Sequence, residues 1–208
     1  MSARGPWLPH DLLWGMDPAQ LPADAPHWAR EVLEAGQPVV VRRALTAPGL
    51  IAVGLRGATR EQRYAALLEL HRVQRGVRPE DLCRVPVAQP WPALRALQQL
   101  RDELDATGLV WGVSGSAGYE LASGVGALHQ GSDLDLILRT PEAFSRARAR
   151  ALLARLERAD CAVDMQLQVP AGALALREWA GAAPRVLLKS ASGACLVDDP
   201  WGVLESVA

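Results

Sequence analysis

Two aspartates one residue apart, Asp133 and Asp135, stand in the run Gly131-Ser-Asp-Leu-Asp-Leu-Ile-Leu138. Successive side chains of an extended chain point to opposite faces. Leu134 and Leu136 are therefore expected in a core, and both carboxylates on the other face. Neighbouring carboxylates repel, and a divalent cation with oxygen ligands is the usual remedy. A third acid follows in Cys161-Ala-Val-Asp-Met-Gln-Leu-Gln-Val169, a stretch of clean alternation. Val163, Met165, Leu167 and Val169 share one face; Asp164, Gln166 and Gln168 share the other. If this strand lies beside the first, Asp133, Asp135 and Asp164 converge. Upstream, Ser114-Gly115-Ser116 closes a predicted buried strand, Leu109–Val113. Glycine lets a ligand approach the backbone, and serine hydroxyls with free amides can hold phosphate oxygens. A Gly-Ser turn alone is a weak signal. Followed by Asp-x-Asp on a strand, it points to metal-dependent phosphoryl- or nucleotidyl-group transfer.

Further candidates surround this set. Ser132 directly precedes the acids and orients their turn or meets phosphate. Lys189, the only lysine among 22 basic residues, sits on a predicted hairpin, where it reaches a phosphate or is a surface charge. His129 lies in the loop before the acids, and a core or surface role outweighs a functional one. Arg42, Arg43, Arg56, Arg60 and Arg63 are either a patch for an anionic ligand or acidic partner, or a solvated surface coloured by an Arg-rich composition.

The elements that must position these residues can be read in outline. Trp7, Trp14 and Trp28 alternate with prolines in an extended entry and are expected as core anchors. A short helix is predicted near Pro26–Ala35, with Gly36 as its stop. Residues 38–45 and 50–56 predict a hairpin about Ala47-Pro48-Gly49. Thr59 and Gln62 have capping-box spacing, which predicts a helix ending at Gly76. Four prolines within residues 77–92 predict an extended connection. Pro92–Thr107 reads as an amphipathic helix with Leu94, Leu97, Leu100 and Leu104 as its stripe. Residues 117–131 read as a long glycine-rich loop, a binding loop or lid. Thr140-Pro141-Glu142 predicts the start of a helix running to about Arg158. Residues 171–183 predict another helix, and residues 185–190 and 194–197 a hairpin. The fold class implied is mixed α/β (α+β). The domains are 1–80 for positioning substrate or partner, an 81–92 Pro-rich linker, and a catalytic domain over 93–208.

Composition sets outer limits. The 208 residues give ample core, half are hydrophobic, and the formal net charge is −1. Neither disorder nor bulk nucleic-acid binding is suggested. Cys83, Cys161 and Cys195 lack metal-ligand spacing and read as reduced cytoplasmic thiols. No signal peptide or membrane span is expected.

Gly115-Ser116, Asp133-Leu134-Asp135 and, after one helix, Asp164 occur in an order that resembles the polymerase-β-like nucleotidyltransferase superfamily over about residues 92–197. The loop between Ser116 and Asp133 is longer than that superfamily's usual version. Arg4–Trp14, Val53–Arg63, the Gly-Ser-Asp-Leu-Asp-Leu block and Val186–Lys189 sharpen the likeness. Together they resemble the phosphoribosyl-dephospho-CoA transferases of bacterial malonate decarboxylase, which are holo-acyl-carrier-protein synthases. This resemblance implies 2′-(5″-triphosphoribosyl)-3′-dephospho-CoA as donor and a serine of the decarboxylase's acyl carrier protein subunit as acceptor. It implies two Mg²⁺ ions, a role Mn²⁺ also fits, with Asp133 and Asp135 holding both and Asp164 one. Ser114, Gly115, Ser116, Ser132 and Lys189 would contact substrate phosphates. Two other readings stand beside it. One is an ATP-dependent nucleotidyltransferase acting on a small molecule or protein; the other is a non-catalytic binding module of the same fold.

Overall fold

The computed structural model describes residues 7–59, 61–87 and 91–202. Arg4, Gly5 and Pro6 of the first resemblance block, Arg60 of the arginine group and Pro90 of the proline run lie outside them. The chain divides into two units. One comprises the residues up to Arg78 together with Ala122–Val125; the other comprises Pro79–Leu121 and the residues from Gly126 onward. Among the described residues no helix is long and apolar enough to cross a membrane.

The first unit is an antiparallel sheet with one helix. Its elements are β1 (Leu12–Trp14), α1 (His27–Glu34), β2 (Val39–Val41), β3 (Leu50–Arg56), β4 (Arg63–Glu69) and β5 (Arg75–Val77). The strand order is β4-β3-β2-β1-β5. Leu13, Val39, Val41, Val53, Leu55 and Leu68 form its core with Ala29 and Leu33 of α1, and Trp7 and Trp28 pack against them. Trp14 instead lies under the Arg75 guanidinium, 4.4 Å from its ring centroid.

The helix expected after Thr59 is a strand. The Gln62 side chain does accept from the Thr59 amide, at 3.2 Å, as a capping box requires. That bond closes a turn in which the Gly57 amide also reaches Gln62 O at 3.0 Å. The chain then returns as β4, in register with β3 from Leu50↔Glu69 to Arg56↔Arg63. Pairing along a whole strand outweighs a local cap, whose worth is about 1 kcal/mol.

The second unit contains α2 (Pro92–Asp105), β6 (Trp111–Val113), α3 (Gly115–Ser123), β7 (Leu134–Arg139), α4 (Arg146–Leu156), β8 (Val163–Val169), β9 (Gly172–Ala175), α5 (Leu176–Ala180), β10 (Val186–Lys189) and β11 (Ala194–Val197). The strands lie in the order β11-β10-β9-β8-β7-β6. The leucine stripe of α2 is buried as its periodicity requires.

Four local expectations are corrected here. The stretch read as an 81–92 linker begins as packed structure: Pro79–Leu82 is a 3-10 turn, Leu82 and Cys83 are buried, and the Cys83 thiol points to Trp111 O at 3.2 Å. Prolines broke the α-periodicity there without preventing burial. The 117–131 loop is helical over its first part as α3, whose Gly118 has no room for a Cβ beside Val113 O. Thr140 does not cap a helix; its amide and hydroxyl both donate to Gln168 O, and Ser145 caps α4 instead. Residues 172–175 extend the sheet as β9 before the short α5, because their amides complete the edge of β8.

Candidate active site

The alternation read in the two acidic strands survives folding. Leu134 and Leu136 are fully buried, Asp135 is half-buried, and Asp164 is exposed between buried Val163 and Met165. β7 and β8 run parallel, with Asp135↔Asp164 as register partners. Their carboxylates therefore leave the same face of adjacent strands, about 5 Å apart at the backbone. Asp133 is exposed and lies just before β7 rather than within it. The acid face is open only at this end: farther along β7, Ile137 is buried and Arg139 is engaged by Glu80 at 2.7 Å.

The Ser114–Ser116 segment meets the acids as the start of α3, not as a free turn. The Ser114 amide donates to Asp135 O at 2.9 Å, and Ser114 O accepts from Gly118 N at 2.8 Å. Gly115 holds φ +59°, and a Cβ there would overlap the Asp135 carboxylate. Only glycine allows the backbone this close to that acid. Ser132 is buried in the turn before Asp133. Its Oγ accepts from the His129 amide at 3.0 Å, and its own amide donates to His129 O at 3.0 Å. It therefore shapes the turn. His129 Nδ1 accepts from Gly131 N at 3.1 Å.

A cleft of about 280 Å³ is lined by Ser114, Asp135, Asp164, Gln166 and Lys189, by Arg177 and Glu178 of α5, and by apolar residues of the strands and α4. Lys189 is exposed on β10 and pairs in register with Ala173 of β9. β10 lies two strands from β8, and the register through Ala173 sets Lys189 level with Gln168, four residues past Asp164, so the Lys189 backbone is roughly 16 Å from that of Asp164. The cleft thus holds the carboxylate pair, a further acid in Glu178, and two cations, Arg177 and Lys189. Asp133, Ser116 and Ser132 do not line it.

Among the described residues no three His, Cys, Asp or Glu side chains form a group that could hold a metal ion. The threefold convergence expected of Asp133, Asp135 and Asp164 is thus a register pair with Asp133 beside it, because Asp133 precedes the paired strand. The pair still suits a hard cation. Mg²⁺ is commonly bound by one or two carboxylates, with substrate phosphates and waters completing its shell. Asp133 also bears on Cys161, whose thiol is pushed up chiefly by burial and then by the charge of Asp133.

Two contributors were not legible as site residues. Glu120 of α3 accepts from the amides of Ala127 and Leu128 at 2.7 and 2.8 Å; a segment read as loop gave it no position. Gln166 was placed on the polar face of its strand, and its place two residues after Asp164 was the available signal for its position in the cleft.

Residues 81–200 match the family model described as phosphoribosyl-dephospho-CoA transferase MdcG C-terminal domain, and residues 8–79 match the corresponding N-terminal domain. The chain is similar to a phosphoribosyl-dephospho-CoA transferase of Pseudomonas fluorescens Pf-5, 77% identical over 208 residues and covering 100% of both chains. It is 61% identical over 201 residues to the protein so named in P. fluorescens Pf0-1, covering 97% of this chain and 98% of that one. With the protein so named in Pseudomonas putida W619 the identity is 60% over 200 residues, covering 96% and 98%. No solved structure gives a significant match.

Proposed function

Since the chain belongs to the phosphoribosyl-dephospho-CoA transferase family, we propose the full reaction as follows. The protein moves the 2′-(5″-phosphoribosyl)-3′-dephospho-CoA group from its triphosphoribosyl donor to a serine of the apo acyl carrier subunit of malonate decarboxylase. The acceptor hydroxyl oxygen attacks the phosphorus attached to the ribose 5″-oxygen. The bond from that phosphorus to the bridging oxygen of the outgoing diphosphate breaks. Diphosphate departs with the bond electrons, and the serine proton passes to a carboxylate or water. A phosphodiester remains on the carrier.

The observation that carries this reading is the register pair Asp135–Asp164 under the Gly115 backbone. A serine hydroxyl is a weak nucleophile, and a triphosphate repels both it and bare carboxylates. Bound Mg²⁺ would supply charge neutralisation and lower the pKa of the attacking hydroxyl. Asp135 and Asp164 would hold it, with Asp133 adding negative charge at the open end. Asp164, the exposed member of the pair, would take the proton. The Ser114 amide holds the Asp135 main-chain carbonyl, the Gly115 backbone packs against the Asp135 carboxylate, and Ser116, in the first turn of α3, would meet phosphate from outside the cleft lining. Lys189, across the cleft, holds the outgoing diphosphate by charge-assisted hydrogen bonds. Three free thiols and this pair of substrates favour a cytoplasmic enzyme.

Intact-mass analysis of the apo carrier after incubation with the protein, Mg²⁺ and donor tests the proposal, with ATP in a parallel reaction. A gain equal to the phosphoribosyl-dephospho-CoA group, lost with Asp135→Asn, is expected. A gain equal to AMP, seen only with ATP, would replace this reading with a general nucleotidyltransferase. No gain with either donor, from a folded protein that binds the carrier, would make the chain a binding module.

A further inference from the structure

The loop that delivers the acids to their strand has an anchor outside that strand. α3 starts against Asp135 at Gly115 and carries Glu120 farther along the same helix. Beyond the helix the chain turns back through Gly124, at φ +74°, and Gly126, both with open space around them. Such a segment is pliable by itself. Its return is caught where Glu120 Oε2 accepts from both the Ala127 and Leu128 amides, at 2.7 and 2.8 Å. Bonds from backbone amides to an ionised carboxylate are stronger than neutral ones. Leu128 is buried next to them, and the His129–Ser132 turn follows immediately, closed by two bonds of its own. The Leu134 amide then joins Ala162 O, and β7 begins. The amides of Ala127, Leu128, His129, Gly131, Ser132 and Leu134 are all bonded along this approach, and the first tie is Glu120.

We propose that Glu120 is a positioning residue: α3 braces both acids, packing its Gly115 start against Asp135 and holding the approach to Asp133 through the Glu120 carboxylate. Glu120 is half-buried and satisfied by two main-chain donors, which distinguishes it from a solvated surface acid. The consequence for catalysis rests on the transfer reaction proposed above.

The test uses the full chain carrying Glu120→Ala or Glu120→Gln, with amide hydrogen exchange and steady-state transfer kinetics measured on each. In Glu120→Ala the amides of Ala127, Leu128, Ser132 and Leu134 are expected to exchange at least tenfold faster. Its kcat should fall about tenfold while the donor KM stays within twofold. Glu120→Gln keeps a carbonyl oxygen that can accept both amides, and should recover most of kcat. An unchanged kcat in a loosened Glu120→Ala protein would reduce Glu120 to a loop anchor and overturn the proposal. So would a Glu120→Gln variant with protected amides but the low kcat of Glu120→Ala. If the wild type transfers nothing, the reaction assignment has failed. The brace is then judged on exchange alone, and unchanged rates at Ser132 and Leu134 in Glu120→Ala would overturn it.

Discussion

Asp135 and Asp164 stand directly opposite each other in the one parallel strand pair among the described residues. Like charges placed so across a sheet destabilise it by a few tenths to 1 kcal/mol. Retaining both makes sense where a cation and a triphosphate share the site. Asp135→Asn and Asp164→Asn should each lower transfer a hundredfold or more. In metal-free buffer they should also raise stability by about 0.5 kcal/mol, seen as a melting temperature higher by about 1–2 °C. Thermal melts with and without Mg²⁺, beside the carrier mass assay, check both effects. A folded Asp135→Asn protein with full turnover would remove the carboxylate pair from the mechanism.

Gly115 is the second point at which the geometry is unforgiving. Its φ of +59° and its contact with the Asp135 carboxylate leave no place for a methyl group. Gly115→Ala should cost about 2 kcal/mol or more, combining left-handed strain with overlap. It should also displace Asp135 and so lower kcat more than it raises KM. Urea denaturation and steady-state kinetics on the same preparation separate the two losses.

Lys189 offers a contrast, because it is exposed and its removal leaves no buried partner. Lys189→Ala should leave the melting temperature within about 1 °C, as surface substitutions do. Loss of one charge-assisted contact to phosphate should weaken donor binding about tenfold, equivalent to about 1.4 kcal/mol. Lys189→Arg should recover part of that loss. Donor titration by calorimetry reads the effect directly.

The three thiols should differ in reactivity. Burial, with Glu80 and Asp105 nearby, pushes the Cys83 thiol up to about 12, from an ordinary value of 9.0. At pH 8 it remains a thiol and should resist iodoacetamide in the native protein, whereas exposed Cys195 is labelled. Cys83 retains its proton where the unfolded chain has lost it. Its contribution to stability is therefore whole below about pH 9 and is lost progressively as pH rises towards 12. Mass-resolved labelling across that range, with denaturation curves at each pH, checks the order and the sign.

Much of the site was written in local pattern. Alternation along residues 133–138 and 163–169 decided which side chains are buried and which acids face outward, because a strand has a period of two wherever it lies. The leucine stripe of α2 and the hairpin at Gly193 were legible for the same kind of reason. Tertiary structure decided the rest. Thr59 and Gln62 made their capping-box bond, yet β3 offered a full strand of pairing, and the segment became a hairpin. Thr140 had the residues of a helix start but found Gln168 O first. The residues after Ser116 coiled into α3 because Gly118 could lie against β6, a contact that no periodicity within residues 117–131 encodes. The parallel register that sets Asp135 opposite Asp164, and leaves Asp133 outside the pair, joins strands separated by a helix. The sequence determined what each strand presents. Only packing determined which strand lies beside which, because that choice depends on the total burial and hydrogen bonding of the assembled sheet.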